Sequence, residues 1–433
     1  MEIPKKSGTK NCEEHRTIAL IPHAMQILCK TMYNRISTKI NRQLDPLQFG
    51  FRPKVGTVES ITALKTILNN RINHGKSTYL CFIDFTKAFD RVEHKMVIDV
   101  LKKKGVKQAE ICLICEIYNK QRAFMRNDSE RENEIKIKRG VRQGCILSPI
   151  LFNMYAEEAF RSCKIKNGIE MYEKKKIHKI SYADDTVIMA ESEKELNDTL
   201  NKIKSNLQKW SIEINPKKTK CMVVTDNKTQ KIDIQIGDDK LEQVSNFQYL
   251  GIWINERMKH DVDVRANIAK SKQAFWKHKE LLRNNIRLKT KLRLLKTQVW
   301  SILRYGSECF ALTKSLQKKI TAFEFWCYRR ILKISWNDYV SNEEVLLKIK
   351  IEKPELLQSV IKRKIRYLGH ILRESAGKDL KKMTMIVNEK KGRGKRRTNW
   401  TSIVFENMKI KDMRTAELKA NDKEKWKKME DGT

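Results

Sequence analysis

The sequence predicts an α+β fold, and three observations predict it. Between residues 78 and 258, short apolar and β-branched runs alternate with stretches of helical periodicity. From about residue 259 onward, apolar residues recur at helical spacing without a strand pattern. Residues 1–77 read as helices and loops carrying basic side chains.

The elements follow in order. Met25, Leu28, Met32 and Ile36 share one helix face, as do Ile61, Leu64 and Ile67-Leu68. Tyr79 to Ile83 is a continuous apolar run, the mark of a buried strand, and it delivers Asp84 at its end. Gly140 to Pro149 is a glycine-bounded loop entering an apolar helix, Ile150 to Tyr155. Ile177, Ile180 and Tyr182 precede Asp184-Asp185, and Thr186-Val187-Ile188-Met189 follow; two strands meet there at a hairpin turn. Leu196, Leu200, Ile203, Leu207 and Trp210 stripe a helix that packs on a core. A strand pattern returns at Cys221 to Val224 and at Ile232, Ile234 and Ile236, with a turn at Asp238-Asp239. Phe275, Leu281-Leu282, Ile286, Leu292, Leu294-Leu295, Val299 and Ile302-Leu303 can supply a helix-bundle core. Residues 341–433 are basic and lose clear periodicity toward the end.

A chain of 433 residues is too long for one core, so roughly two to four lobes are expected. Its 90 Lys and Arg outnumber 52 Asp and Glu, a net charge of +38. Solubility needs far less, so the surplus points to a polyanionic partner. No run reaches the ~18 apolar residues of a spanning helix, and Met1 to Lys6 has no signal-peptide core, which argues against a membrane partner. The ten cysteines form no disulfide or zinc framework. Cys112 and Cys115 make a CxxC, but within an apolar helical run with no second pair; they read as buried free thiols of a reducing compartment.

Adjacent carboxylates at a tight turn repel each other. Asp184-Asp185 makes chemical sense if a divalent cation neutralises the pair, and otherwise is a solvated turn. Asp84 reads either as a second source of carboxylate or as a strand-end cap.

Taken in order, Asp84, Gly140-Val141-Arg142-Gln143-Gly144 and Tyr182-Ala183-Asp184-Asp185 resemble the palm blocks of reverse transcriptases, most closely those of non-long-terminal-repeat retrotransposons of the RTE-like, long interspersed type. Ile3 to Lys6 and Arg16 to Leu20 resemble that family's opening block. Gln48 to Pro53 with Gly56-Thr57 resembles its fingers block, Asn215 to Lys220 its lysine block and Phe247 to Gly251 its primer grip. Tyr305-Gly306-Ser307-Glu308, Arg366 to Arg373 and Arg393 to Trp400 resemble the region after the polymerase. The resemblance implies a right-hand polymerase with fingers over 1–77, a palm over 78–258, a helical thumb over 259–340 and a basic helical C-terminal region over 341–433. Family members usually carry an endonuclease ahead of the polymerase; this chain opens on the polymerase blocks, so no nicking activity is expected of it.

The resemblance also implies roles. Asp84, Asp184 and Asp185 hold two Mg²⁺ ions, with Mn²⁺ as an alternative, for in-line attack of a primer hydroxyl on an α-phosphate. Lys218 donates a proton to pyrophosphate, with Lys217 and Lys220 as rivals. Arg52 reaches the triphosphate, Gln143 and Gly144 pack on the nucleotide, and Phe89 blocks a 2′-hydroxyl unless it is only a core ring. Tyr249, Leu250 and Gly251 hold the primer end or form a plain strand turn. Among the cations from Lys270 to Lys296, Lys289, Lys291 and Arg293 bind backbone phosphates or form a solvated face. Arg393, Lys395, Arg396 and Arg397 bind phosphates, direct nuclear import or are simply solvated. Expected partners are an RNA template, a DNA primer or target DNA, and deoxynucleoside triphosphates, in the nucleus and cytoplasm. The alternative is an inactive or domesticated nucleic-acid-binding fragment of such an element.

Overall fold

The computed structural model describes residues 2–4, 15–126, 131–173, 175–227, 230–386 and 398–432. A hairpin of β1 (Glu2–Pro4) and β2 (His15–Thr17) leads to α1 (His23–Asn41) and α2 (Thr57–Asn73). Then come β3 (Thr78–Ile83), α3 (His94–Lys103), α4 (Gln108–Asn119), the hairpin of β4 (Arg122–Arg126) and β5 (Arg131–Lys136), and α5 (Ser148–Ser162). Short strands β6 (Ile169–Glu170) and β7 (Lys176–Ile177) precede β8 (Lys179–Tyr182), β9 (Asp185–Ala190), α6 (Glu193–Gln208) and β10 (Lys220–Val224). β11 (Gln235–Ile236), β12 (Asp239–Lys240) and β13 (Glu242–Gln243) lead to a hairpin of β14 (Asn246–Tyr249) and β15 (Ile252–Asn255). The rest is helical: α7 (Asp261–Lys277), α8 (Lys279–Arg283), α9 (Leu288–Leu294), α10 (Trp300–Arg304), α11 (Lys314–Ile331), α12 (Asn342–Ile349), α13 (Leu356–Leu372), α14 (Lys378–Ile386), α15 (Ser402–Met408), α16 (Met413–Asn421) and α17 (Lys423–Asp431).

The chain divides into two compact units. The first comprises Met1–Ser60, Thr78–Val223 and Thr229–Val244; the second comprises Ile61–Ser77, Val224–Lys228 and Ser245–Thr433. This division differs from the expected lobes. α2 starts in the first unit and continues in the second, and no boundary falls at 340 because α13 packs against α11, α15, α16 and α17 alike.

The first unit is built on a five-stranded sheet in the order β13-β10-β3-β9-β8. β3 runs antiparallel to β9, from Tyr79 opposite Ala190 to Ile83 opposite Thr186. Leu80 to Ile83 are all buried, as a strand covered on both faces requires. α6 lies against β3 and β9 and sinks Leu196, Leu200, Ile203 and Leu207 completely. α5 begins with Pro149 in its first turn, where a missing N–H costs nothing. Ile232, Ile234 and Ile236 all point into the core, but only Gln235–Ile236 pairs as a strand, with Asp239–Lys240. The CxxC expectation is corrected: α4 buries Ile111, Ile114, Ile117 and Tyr118, which leaves Cys115 half-buried and Cys112 exposed. Among the described residues, Cys29, Cys81, Cys145, Cys221, Cys309 and Cys327 are the buried free thiols.

In the second unit α13 is the central helix, with Leu356, Val360, Ile365, Leu368 and Leu372 wholly buried. Lys364 is buried too, and its ammonium donates to the carbonyls of Glu308 (2.8 Å) and Phe310 (2.6 Å). The end of the chain is more ordered than its fading periodicity suggests. Trp426 of α17 is buried and donates its indole N–H to Ile365 O at 3.1 Å. Gly369 makes room for that ring, since a Cβ there would come within 2.5 Å of the indole nitrogen. A short helix anchored by one large ring has too few apolar residues to show a period. No helix among the described residues is long and apolar enough to cross a membrane.

Candidate active site

The two-acid hairpin lies at one end of the first unit's sheet. Tyr182 pairs with Asp185, so Ala183 and Asp184 form a two-residue turn. Ala183 sits at φ 58°, in the left-handed region that favours glycine. A strained turn needs external support, and Gln48 supplies it. Its buried side-chain carbonyl accepts from Ala183 N (3.1 Å) and from Gly50 N (2.9 Å). The main chain on either side of Gln48 doubles as an extra strand: Phe49 N donates to Ser181 O and Ser181 N to Leu47 O. Gly50 is obligatory because a Cβ there would stand 2.2 Å from Ala183 N. Asn153 of α5 holds Gly50 in turn, donating to its carbonyl at 2.6 Å. A buried ion pair, Lys179 to Glu157 at 3.0 Å, ties β8 to α5.

Asp84 follows the last residue of β3, and the antiparallel register, which ends with Ile83 opposite Thr186, sets it against Asp185 when continued by one residue. The sheet therefore delivers acids from two distant segments to one edge. Burial pushes the Asp185 carboxyl up to about 6, and the charges of Asp184 and Asp84 push the same way. Asp185 is exposed by surface area, yet enough protein surrounds its carboxylate to withhold part of its solvation. Among the described residues no three His, Cys, Asp or Glu side chains are already drawn into a closed ligand set. The donors nonetheless fit a hard divalent cation: all are carboxylates, and each raises the cost of ionising Asp185, a cost that a positive ion relieves.

The loop bearing Lys218 is strapped to the strand bearing Asp84. Asn215 N donates to Asp84 O at 2.8 Å, Asp84 N to the Thr219 hydroxyl at 3.3 Å, and Phe85 bridges Ile214. Lys218 Nζ consequently lies 4.0 Å from the Asp84 carboxylate. Of its rivals, Lys220 is engaged by Glu242 at 2.6 Å, and Lys217 is exposed. Phe89 stacks on Phe152 with centroids 4.3 Å apart and meets the edge of exposed Phe51 at 6.3 Å, so one half of the ring is core and the other is not. Gln143 donates to Asp90 at 3.4 Å, and its carbonyl accepts from Ala19 N at 2.9 Å. Gly144, at φ 100°, backs onto Ala19 O. Arg52 donates to the carbonyls of Asp45 (2.8 Å), Gln48 (3.0 Å) and Asn41 (3.2 Å), closing the end of α1. A triphosphate contact from Arg52 would have to use the donors these carbonyls leave.

In the second unit, Tyr249 and Ile252 pair across the β14–β15 hairpin, whose tip is Leu250 (φ 46°) and Gly251 (φ 83°). Two positive φ values match the twist of a tight hairpin. Tyr305 braces this tip, its hydroxyl donating to Leu250 O at 2.8 Å. On α9, Lys289 and Arg293 are exposed and Lys291 is half-buried; Lys296 is tied to Glu355 at 2.7 Å. Arg393, Lys395, Arg396 and Arg397 lie outside the described residues. Sequence reasoning missed Gln48, Asn153 and Tyr305 as positioning residues. The only signal was their place in or near motifs, because a side chain that supports a distant turn leaves no periodic trace.

Residues 3–254 match the model of the reverse transcriptase (RNA-dependent DNA polymerase) family. The chain is 28% identical over 277 residues to the Pol polyprotein of the retrotransposable element R2 from Nasonia vitripennis, covering 62% of this chain and 26% of that protein. It is 22% identical over 354 residues to the RNA-directed DNA polymerase from the mobile element jockey of Drosophila melanogaster, covering 79% and 38%. The chain thus spans well under half the length of these relatives. Among solved structures, apo telomerase from Candida tropicalis aligns at TM-score 0.42 and 14% identity over 82% of this chain and 61% of that one, a likeness too loose to argue from.

Proposed function

Because the chain belongs to the reverse transcriptase family, we propose that it is the polymerase of a non-long-terminal-repeat retrotransposon, extending a DNA primer 3′ end on an RNA template with deoxynucleoside triphosphates. The observation that carries this reading is the placing of Asp84 beside Asp184 and Asp185 at the end of the sheet, where burial first, and then the charges of Asp184 and Asp84, push the Asp185 carboxyl up to about 6. Two Mg²⁺ ions, or Mn²⁺, supply Lewis-acid activation of the primer hydroxyl and neutralise charge at the α-phosphate. Asp84 and Asp184 would hold them, from a strand end and a turn that the lysine-block loop and Gln48 respectively brace. Asp185 would be the third carboxylate of the set. Lys218, beside Asp84, donates a proton to departing pyrophosphate.

The half-open ring of Phe89 meets the incoming sugar and selects against a 2′-hydroxyl. Gln143 and Gly144 pack on the nucleotide. Tyr249, Leu250 and Gly251 hold the primer end, with their tip fixed by Tyr305. Lys289, Lys291 and Arg293 bind backbone phosphates. Copying an element into chromosomal DNA puts the protein in the nucleus as well as the cytoplasm. The test is primer extension by the purified chain on RNA, with dNTPs or NTPs, with Mg²⁺ or with chelator. Mg²⁺-dependent incorporation of dNTPs is expected; incorporation that ignores the template, or none by a folded protein that still binds primer–template, leaves only a nucleic-acid-binding fragment.

A further inference from the structure

The second unit contains a hollow of about 1040 Å³ between α7, the end of α8, α11 and the loop after α11. Arg283, Lys318 and Lys333 line it, and among the described residues its lining contains no acid. Trp276, Trp336 and Tyr339 line it as well. Trp336 is 91% exposed and Tyr339 90% exposed, an unusual fate for large rings that gain most from burial.

The loop does not leave these rings out by looseness. Ser335 N donates to Asp338 Oδ2 at 2.7 Å, and Arg329 donates to Val340 O at 3.0 Å, so both ends of the segment are pinned. Tyr339 is held at φ 46°, a left-handed conformation that a bulky residue adopts only when its surroundings impose it. Deeper in, Arg330 lies 3.8 Å over the Trp326 ring and 5.7 Å from Trp276, which places a cation and π faces together. The cations also feel one another: Arg330 is lowered by burial and by Arg283, and Lys291 by burial and by Lys333.

We propose that this hollow binds single-stranded nucleic acid, with unpaired bases stacking on Trp336 and Tyr339 while Arg283, Lys318 and Lys333 take the phosphates. Exposed rings on a pinned loop and a cationic lining, with the loop's one acid, Asp338, occupied by Ser335 N, are what a strand with free π faces and a charged backbone requires. A duplex keeps its bases stacked internally and cannot use the rings. A second copy of a chain carrying +38 would be repelled by the same lining. The site lies wholly within the second unit and does not rest on the polymerase reading.

The test measures binding of a fluorescent oligo-dT or oligo-U, and of a blunt duplex, to the full chain and to two variants. W336A/Y339A is expected to weaken single-strand binding about ten-fold or more and leave duplex affinity, RNA-templated extension and thermal midpoint unchanged. R283A/K318A/K333A is expected to lower the slope of log K against log salt by about 0.7 per lost contact. Single-strand affinity that W336A/Y339A leaves intact overturns the proposal, as does an equal loss for duplex. Loss of self-association in sedimentation without loss of oligonucleotide binding overturns it too, by making the rings a contact between copies. Extension activity is read separately, so failure of the polymerase reading leaves this outcome standing.

Discussion

At the scale of single residues, the acids and their supports behave differently under substitution. Asp185 titrates near 6 when folded, against about 3.9 for an unfolded aspartate. The folded state therefore binds more protons between those values. This group favours folding at low pH, and its contribution declines as pH rises through about 6. A cation reverses the preference, because it binds the ionised form. Mn²⁺ affinity and extension rate should both rise through pH 6 in the wild type, and D84N, which gives up a metal-holding carboxylate, should shift the metal-free ionisation midpoint of Asp185 downward by removing one repelling charge; a midpoint near 4 in the wild type contradicts the clustering. Gln48→Ala strips the buried acceptor from Ala183 N and Gly50 N, a loss of about 1–3 kcal/mol that denaturant melting can read. Its effect on extension should exceed its effect on stability, because the turn it releases carries Asp184, and Gln48→Glu should restore part of the rate. Phe89→Ala should raise ribonucleotide incorporation relative to deoxynucleotide; an unchanged ratio returns the ring to the core with Phe152.

At the scale of elements, the ion pair between Lys179 of β8 and Glu157 of α5 is nearly inaccessible to water, both side chains being 6% exposed or less. Lys179→Ala leaves the buried Glu157 carboxylate with Arg161, 3.5 Å away on the same helix, and should destabilise the chain by less than the ~3–5 kcal/mol of a fully unpaired buried charge; a thermal midpoint within a degree of wild type rules out any loss of that kind. The elements themselves were largely legible. A continuous apolar run gave β3, apolar flanks around two acids gave the β8–β9 hairpin, and a 3.6-residue stripe gave α6. What was not legible is long-range support. Gln48 stands 135 residues from the turn it holds, and the block it opens marks a motif without saying which distant turn its side chain supports. Cys112 was misjudged because an apolar run does not say which of its positions face inward until the partner helices are placed.

At the scale of the whole molecule, +38 is a property the sequence states outright, but its distribution is not. Lys296 is spent on Glu355, and Arg330 lies on Trp326, whereas Lys289 and Arg293 are open to solvent. Affinity for a primer–template duplex should fall log-linearly with salt, and K289A/K291A/R293A should reduce the slope by about one unit per lost contact for every sequence alike. Superimposable curves would remove α9 from the binding surface. The expected thumb and C-terminal region share a single unit because helix packing around α13 ignores the boundary that composition suggested. The central claim is that Asp84, Asp184 and Asp185 perform RNA-templated DNA synthesis. It is tested most directly by running wild type and Asp184→Asn side by side in Mg²⁺-dependent primer extension on RNA, with binding to the same primer–template measured in parallel. The account predicts extension by wild type and none by the variant at equal binding; extension by both at the same rate would contradict it.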